Sequence, residues 1–464
     1  MKKYIRTGNL VFNEIEFVFV FDTEILKLIP LKKQDKELVE RQNIEEIVGR
    51  GDINNPFSLN SLYIIGSCNE TGYNIIFIFN EGTESSYENN TIVFPVKSYI
   101  LMKQEDTPFT KLSIRCTKLN SIYPTKEAFE FLSEYDEWID GVMMIRTENF
   151  EKTTTKKQVF FFNEREVKVH FGISRKINNR NVESPIILET SLIFEFASTD
   201  DYIFINELVT IARKFIQFLT YEKNTEFTDI NLYHKKNGKN TRVASFIEDN
   251  DDAQELTQNR KPIRCIEYDQ IKSHEGKLFQ QIADYTLYNR HIPLTRTIGN
   301  NIDEARFVML TAAFEAAFKD YFGEIEISDE ERRITQAVHN SIGELIKKSQ
   351  GKLKKEYKRL QRLSGGSTLS RKIVYAGEHL NEIIGCFGVR LYKRDASVLE
   401  YSIIGDRLAK QRNAFAHGNL EIEFVGESLI DLVFLQYLIY AIQLKNIGLS
   451  DENTKKAIRS LFIL

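Results

Sequence analysis

The spacing of the apolar residues changes once along this chain, near residue 270, and this change constrains the fold more than any other feature. Before it, apolar residues alternate with polar ones in short segments rich in Ile, Val, Phe and Tyr, as in strands with one buried face. After it, apolar residues recur at steps of three and four, as on one face of a helix. The sequence therefore predicts an α+β protein with a β-rich first half and an all-helical second half.

Short alternating segments dominate the first half. Asn237-Gly238, between the last two segments, is the strongest short hairpin signal, and Asn163 marks the tip of a second hairpin. One amphipathic helix, residues 203–221, interrupts the pattern. We therefore predict an antiparallel sandwich-like or barrel-like sheet. The predicted strands are residues 15–21, 73–79, 111–117, 158–162, 167–171, 188–196, 227–234 and 241–247.

Helical periodicity continues from residue 275 to the end of the chain. The predicted helices are residues 275–290, 303–322, 329–348, 369–386, 401–417, 428–445 and 453–462. A length of 464 residues exceeds the usual size of one hydrophobic core. We therefore predict three parts: a β-rich domain at 1–255, a helical connector at 256–300 and a helical bundle at 301–464.

Composition narrows the possible functions. The net charge of −4 gives no overall positive field for a nucleic acid, so any such contact needs a local basic patch. Four scattered cysteines form no CxxC pair, which argues against a thiolate zinc site and suits a reducing compartment. We find neither a signal-peptide core nor a run of about 18 apolar residues, so we expect a cytoplasmic chain that does not span a membrane. Phosphate-loop and GxSxG motifs are also absent.

Residues 406–418 carry the strongest chemical signal. Gly418 occupies the position of a helix-ending glycine, so His417 is expected in the last turn, where the helix dipole favours a charged imidazole. Asn413 lies four residues earlier, on the same face as His417. Arg412 lies five residues before His417, roughly 140° around an ideal helix. Because Arg412 and His417 do not meet easily on one helix, a second copy of the motif across a two-fold axis would complete the site.

A structural interpretation of the same residues stays open. A histidine beside a helix-terminal glycine often serves as a cap, and Arg412 would then pair with a nearby acid. Two features favour a functional site. Arg412, Asn413 and His417 occur together in residues 407–418, a short basic stretch that contains no acid. Asparagine also has a poor helix propensity, so Asn413 is expected to have a specific partner.

The pattern Arg-Asn-x-x-x-His at the end of a helix, within a helical bundle, resembles the Arg-x4–6-His signature of the HEPN superfamily of ribonucleases. The resemblance covers roughly residues 303–464. Residues 307–315, FVMLTAAFE, are similar to the Glu-bearing helix of ApeA-type HEPN domains. The first half resembles the N-terminal domain of ApeA-type proteins at residues 211–220, IARKFIQFLT, which two predicted strands follow.

The resemblance implies a homodimer in which two motifs face each other and cut single-stranded RNA without a metal or cofactor. In such a site His417 is the general acid or base, Arg412 holds the phosphate, and Asn413 fixes either the imidazole or the phosphate. Glu315 would then orient the arginine, and the alternative for Glu315 is an ordinary polar contact. The products are 2′,3′-cyclic phosphates, and DNA is not cut. The resemblance also implies a toxin-like effector of anti-phage defence, whose β-rich domain senses an unknown trigger.

Further lysines are candidates for RNA binding, although a solvated helix face is the default interpretation of such a basic run. These candidates are Lys354, Lys355, Lys358 and Lys410. Two functions of other classes remain open. One is a non-catalytic HEPN-type module that binds nucleotides or dimerises, and the other is a structural interaction protein.

Overall fold

The protein is described here from a computed structural model. The described residues are 5–47, 59–88, 90–103, 107–132, 144–148, 150–177, 186–248, 263–325, 329–363, 368–393, 399–416 and 427–462. The chain forms two compact units, Met1–Asp284 and Tyr285–Leu464. The predicted boundary at residues 255 and 256 lies outside the described residues, and the predicted connector, 256–300, is divided between the two units.

The strands of the first unit form a 14-stranded antiparallel sheet, with the spatial order β12-β13-β14-β9-β15-β16-β8-β5-β4-β1-β2-β3-β7-β6, and a separate ladder of β10 and β11. Their bounds are β1 Arg6–Phe12, β2 Ile15–Phe21, β3 Ile25–Pro30, β4 Tyr63–Cys68, β5 Asn74–Ile78, β6 Ser86–Glu88, β7 Thr91–Pro95, β8 Ser98–Met102, β9 Phe109–Arg115, β10 Phe129–Leu132, β11 Met144–Thr147, β12 Gln158–Phe162, β13 Arg165–Ile177, β14 Ile186–Thr199, β15 Asp229–Lys236 and β16 Lys239–Glu248. The mixed α+β class and the antiparallel sheet are confirmed.

Helices of the first unit lie between and after these strands. Their bounds are α1 Lys33–Ile47, α2 Leu119–Ile122, α3 Phe150–Thr153, α4 Tyr202–Thr220, α5 Tyr268–Ile271 and α6 Glu275–Ala283, with a 3-10 turn at Thr125–Ala128. The second unit is helical throughout its described residues. Its helices are α7 Arg296–Gly299, α8 Glu304–Phe322, α9 Asp329–Lys348, α10 Gly351–Leu363, α11 Leu369–His379, α12 Asn381–Tyr392, α13 Tyr401–Ala416, α14 Glu427–Asn446 and α15 Asp451–Phe462.

The N-terminal strands of the sheet curl around a phenylalanine core. Phe21 on β2 and Phe77 on β5 are three strands apart, which is about 14 Å across a flat sheet. Their ring centroids nevertheless lie only 5.0 Å apart. Phe12 on β1 and Phe94 on β7 are also three strands apart and lie at 5.7 Å. Both pairs are buried, so this part of the sheet bends back on itself instead of pairing with a second sheet.

The other end of the sheet packs against α4 and α6. Phe279 on α6 stacks on Phe215 of α4 at 4.1 Å and on Phe160 of β12 at 5.3 Å. The hairpin turn at Asn237 and Gly238 has φ angles of 50° and 78°, as the predicted tight turn requires. The same backbone conformation occurs at the predicted tip of the hairpin that joins β12 to β13. Periodicity and turn residues therefore predicted this region well.

Two predicted helices of the second half differ from the structure. The predicted helix 369–386 is two helices, α11 and α12, which meet at Leu380. The predicted helix 275–290 ends at Ala283. Helix α10 was not predicted, because only Leu353, Tyr357 and Leu360 interrupt its basic and polar residues before its last position. These residues and Leu363 nevertheless recur at steps of four and three, so a helical pattern was present within the basic run.

Helix α14 is the central element of the second unit. It packs against α8, α12, α13 and α15. Its 20 residues and mean hydropathy of 1.3 also fit a membrane-crossing segment by length and composition. However, 72% of that segment is buried inside the unit, as in the core helix of a folded domain. The length and composition of one helix are weak support for a membrane span. The sequence led us to expect no such span.

Candidate functional site

Helix α13 places the predicted site residues on different sides. Leu408 and Gln411 are buried on its inward face. Lys410 and Asn413, three residues apart, are exposed on its outward face. Arg412 lies at the border of the two faces, and 41% of its side chain is exposed. The helix therefore directs Arg412 partly toward its neighbours and Asn413 toward solvent.

Arg412 forms an ion pair with a residue of α8. Its Nη2 lies 2.7 Å from Oε2 of Glu315, whose side chain is 26% exposed. Helix α8 begins after Asp303, whose side chain accepts a hydrogen bond from the backbone N–H of Arg306, as an N-cap does. The Glu315 carboxylate thus fixes one edge of the Arg412 guanidinium, and the rest of the guanidinium stays partly open to solvent.

Glu315 also contacts a second cation. Nζ of Lys372, on α11, donates a hydrogen bond to Oε1 of Glu315 at 3.4 Å. One carboxylate therefore lies between two cations, and the three side chains carry two positive charges and one negative. A surplus of positive charge on an arginine and a lysine suits a phosphate group.

Helices α11 and α13 lie close together because glycines occupy their contact. A Cβ atom on Gly405 would lie 2.8 Å from the backbone oxygen of Ser370, and one on Gly377 would lie 2.6 Å from the ring of Tyr401. Larger residues at these positions would separate the helices. Oγ of Ser370 also donates a hydrogen bond to Oδ1 of Asp406 at 2.6 Å. These contacts place α11 beside α13, near the ion pair.

A buried carboxylate anchors the preceding turn of α13. Nε and Nη2 of Arg407 donate hydrogen bonds to both oxygens of Asp431 at 2.6 and 2.7 Å, and Nη1 reaches Glu427 at 2.8 Å. Asp431 is completely buried on α14. Hydrogen bonds with Asp431 raise the pKa of Arg407. Burial and the Asp431 carboxylate raise the pKa of Tyr392, whose hydroxyl donates to Oδ1 of Asp431 at 2.5 Å. This network fixes α13 against α12 and α14 five residues before Arg412.

The predicted general acid or base, His417, lies outside the described residues, as does Gly418. The distance between His417 and Arg412 therefore stays a prediction. The predicted RNA-binding lysines of α10 are all exposed; they are Lys354, Lys355 and Lys358.

Sequence reasoning missed three residues around Arg412. Asp431 had a signal, since it is the one acid within the apolar run of residues 429–435. Gln411 also had one, because it stands where the apolar period of α13 requires a buried residue. Its Oε1 atom is buried and has no hydrogen-bond partner within the described part of the chain. Lys372 had no signal, because its place beside Glu315 depends on the packing of α11.

No protein-family model, curated protein or solved structure matches this chain. Within the described ranges, no three His, Cys, Asp or Glu side chains are grouped closely enough to hold a metal ion. The site as described is an arginine held by a carboxylate, with a second cation beside it and part of the guanidinium accessible.

Proposed function

We propose that this protein is a metal-independent endoribonuclease that cleaves single-stranded RNA at a composite site of Arg412 and His417. The observation that carries the proposal is the ion pair between Arg412 and Glu315. The ion pair holds the Arg412 side chain in a fixed position while part of it stays exposed, as a phosphate-binding group requires. A purely structural arginine would also pair with an acid, but 41% of this side chain stays exposed, which leaves part of the guanidinium open to a phosphate.

The chemistry requires few groups, because RNA supplies its own nucleophile. His417 either accepts the proton of the 2′-hydroxyl or donates one to the leaving 5′-oxygen, and water carries out the other proton transfer. The 2′-oxygen attacks phosphorus, the bond to the 5′-oxygen breaks, and a 2′,3′-cyclic phosphate remains. Arg412 stabilises the charge that develops on the phosphate oxygens, and it stays protonated throughout. Glu315 positions Arg412, and Asn413 orients the imidazole or the phosphate.

The surroundings of Glu315 support the presence of a second copy. Val308 lies seven residues before Glu315 on α8, about two helical turns away and on the same face. The side chains of Val308 and its neighbour Met309 are 52% and 44% exposed. Exposed apolar residues beside a half-exposed ion pair are typical of an interface that is completed by a partner. In this proposal the partner is a second chain, which contributes its His417 to Arg412 of the first.

The ApeA resemblance extends the proposal to cell biology. The protein would act in the cytoplasm as a toxin-like effector of anti-phage defence. Its β-rich unit would sense a trigger and restrain the nuclease until the trigger binds. Lys410 and the exposed lysines of α10 would supply the local positive field that an RNA needs.

A substrate that lacks one hydroxyl tests the proposed chemistry. We expect wild-type protein to cleave a single-stranded RNA, and to leave intact an RNA of the same sequence with 2′-deoxy sugars at the cleaved positions. Lys393→Gln, an exchange at the end of α12, serves as a matched surface control and should cleave like the wild type. Cleavage of the deoxy positions at the RNA rate would exclude attack by the 2′-oxygen and refute the proposal.

A further inference from the structure

Helix α9 carries an apolar stripe that faces solvent. Ile334 is 58% exposed, and Val338 and Leu345 are each 43% exposed. With Ser341 these residues follow one another at steps of four, three and four, which is the spacing of a coiled-coil seam. Apolar side chains exposed in such a row mark an interaction surface.

The stripe is distinct from the side of α9 that is shielded within the unit. Helix α10 packs against α9. The shielded residues of α9 are on another side and include His339, Ile342 and Ile346, which are half-buried. Ile346 lies roughly 110° around the helix from the middle of the stripe. The seam positions are therefore available to a further helix.

The seam is complementary to a reversed copy of itself. When two α9 helices lie antiparallel with the two-fold axis between residues 339 and 340, Ile334 faces Leu345 of the second copy. In the same register Val338 faces Ser341 of the second copy. Antiparallel coiled coils pair their seam positions in this alternating way. The register also overlaps nearly the full length of both helices.

Charges beside the seam select the same arrangement. The antiparallel register brings Glu330 close to Lys348 of the second copy, and Arg333 close to Glu344 of the second copy. All four side chains are exposed, and they lie on one flank of the stripe.

We propose that α9 is the surface through which two copies of this chain associate, as an antiparallel helix pair. The composite nuclease site also requires a second copy, but this inference stands on α9 alone and does not depend on RNA cleavage. The partner is a second copy of this chain rather than an unrelated helix, because the seam and its flanking charges are complementary to an antiparallel copy of themselves.

The mass of the full-length protein in solution tests the proposal. Sedimentation equilibrium should show association of the wild type, and Ile334→Glu combined with Leu345→Glu should halve the mass at equal concentration. Gln336→Glu adds one charge on the opposite, exposed side of α9 and serves as the matched control, which should keep the wild-type mass. Unchanged circular dichroism would show that the variants fold, since the altered residues are exposed.

A charge reversal tests the antiparallel register. Glu330→Lys and Lys348→Glu should each weaken association at least severalfold, and the protein with both exchanges should recover it. A monomeric wild type at every concentration, or a seam variant that keeps the wild-type mass, would overturn the proposal. Loss of RNA cleavage with normal association would instead count against the proposed function, so the two failures are distinguishable.

Discussion

Nη2 of Arg412 lies 2.7 Å from Oε2 of Glu315, and this ion pair joins α13 to α8. It connects two segments that the sequence separates by nearly a hundred residues, and the resemblance to HEPN proteins singled out both of them. The pair holds the arginine while leaving part of it open.

Glu315→Gln should lower the turnover rate on RNA by about 10- to 100-fold, because a guanidinium that is no longer fixed binds the reacting phosphate less accurately. The loss should appear mainly in kcat. Stability should fall by about 1 kcal/mol or less, since the pair is partly exposed. Lys319→Gln, which alters an exposed lysine one turn after Glu315 on α8, is the control and should cleave like the wild type. A wild-type rate for Glu315→Gln would show that the carboxylate does not position Arg412.

Asp431→Asn should destabilise the helical unit strongly. The exchange leaves Arg407 without its buried charge partner, and breaking such a pair costs about 3 kcal/mol or more. Asp451→Asn, which breaks the more exposed pair with Lys445, should cost about 1 kcal/mol or less. Urea unfolding followed by circular dichroism measures both. Equal stability of the two variants would mean that the Arg407 network does not anchor α13.

The stability of the β-rich unit should depend on pH through His170. Burial lowers the pKa of His170 to about 4. Glu195 of β14 raises this pKa, whereas Lys157, just before β12, and Lys111 of β9 lower it. Because the ordinary histidine pKa is about 6.5, the unfolded chain binds a proton between these pH values that the folded protein does not. The free energy of unfolding should therefore fall as the pH drops from about 6.5 toward 4, by up to about 1.4 kcal/mol per pH unit.

Replacing the histidine tests this dependence directly. His170→Gln should remove that part of the slope, measured by urea unfolding across the same pH range. His234→Gln, on β15, is the control and should retain the slope. An unchanged slope in His170→Gln would assign the pH dependence to other groups.

Mixing two inactive variants tests whether the site is shared between chains. Arg412→Ala and His417→Ala should each be inactive. Co-expressed in equal amounts, they should recover roughly a quarter of the wild-type activity, because half of the dimers are mixed and each mixed dimer has one intact site. If Arg412 and His417 act within one chain, every site in the mixed dimers lacks one residue and no activity returns.

The strands and the main helices were predictable where the spacing of apolar residues along the sequence agreed with the face that is buried in the fold. Helix α4 is an example, because its buried residues recur at steps of three and four along one face. The break at Leu380 was not predictable, since neither glycine nor proline marks it. It depends instead on how α11 and α12 pack against different neighbours. The curl of the N-terminal sheet was likewise hidden, because alternation specifies which face is buried but not how far a sheet bends.

The residues of the candidate site were also only partly predictable from the sequence. Arg412, Asn413 and Glu315 could be chosen from the motif and the resemblance. Lys372 could not, because only the close packing of α11 and α13 at Gly405 brings it near Glu315.

The most direct test of the nuclease proposal is to incubate end-labelled single-stranded RNA with wild-type or His417→Ala protein in excess EDTA. Only the wild type should cleave the RNA, and the fragments should end in 2′,3′-cyclic phosphates. The same cleavage by folded His417→Ala protein, or cleavage by the wild type that EDTA abolishes, would contradict the proposal.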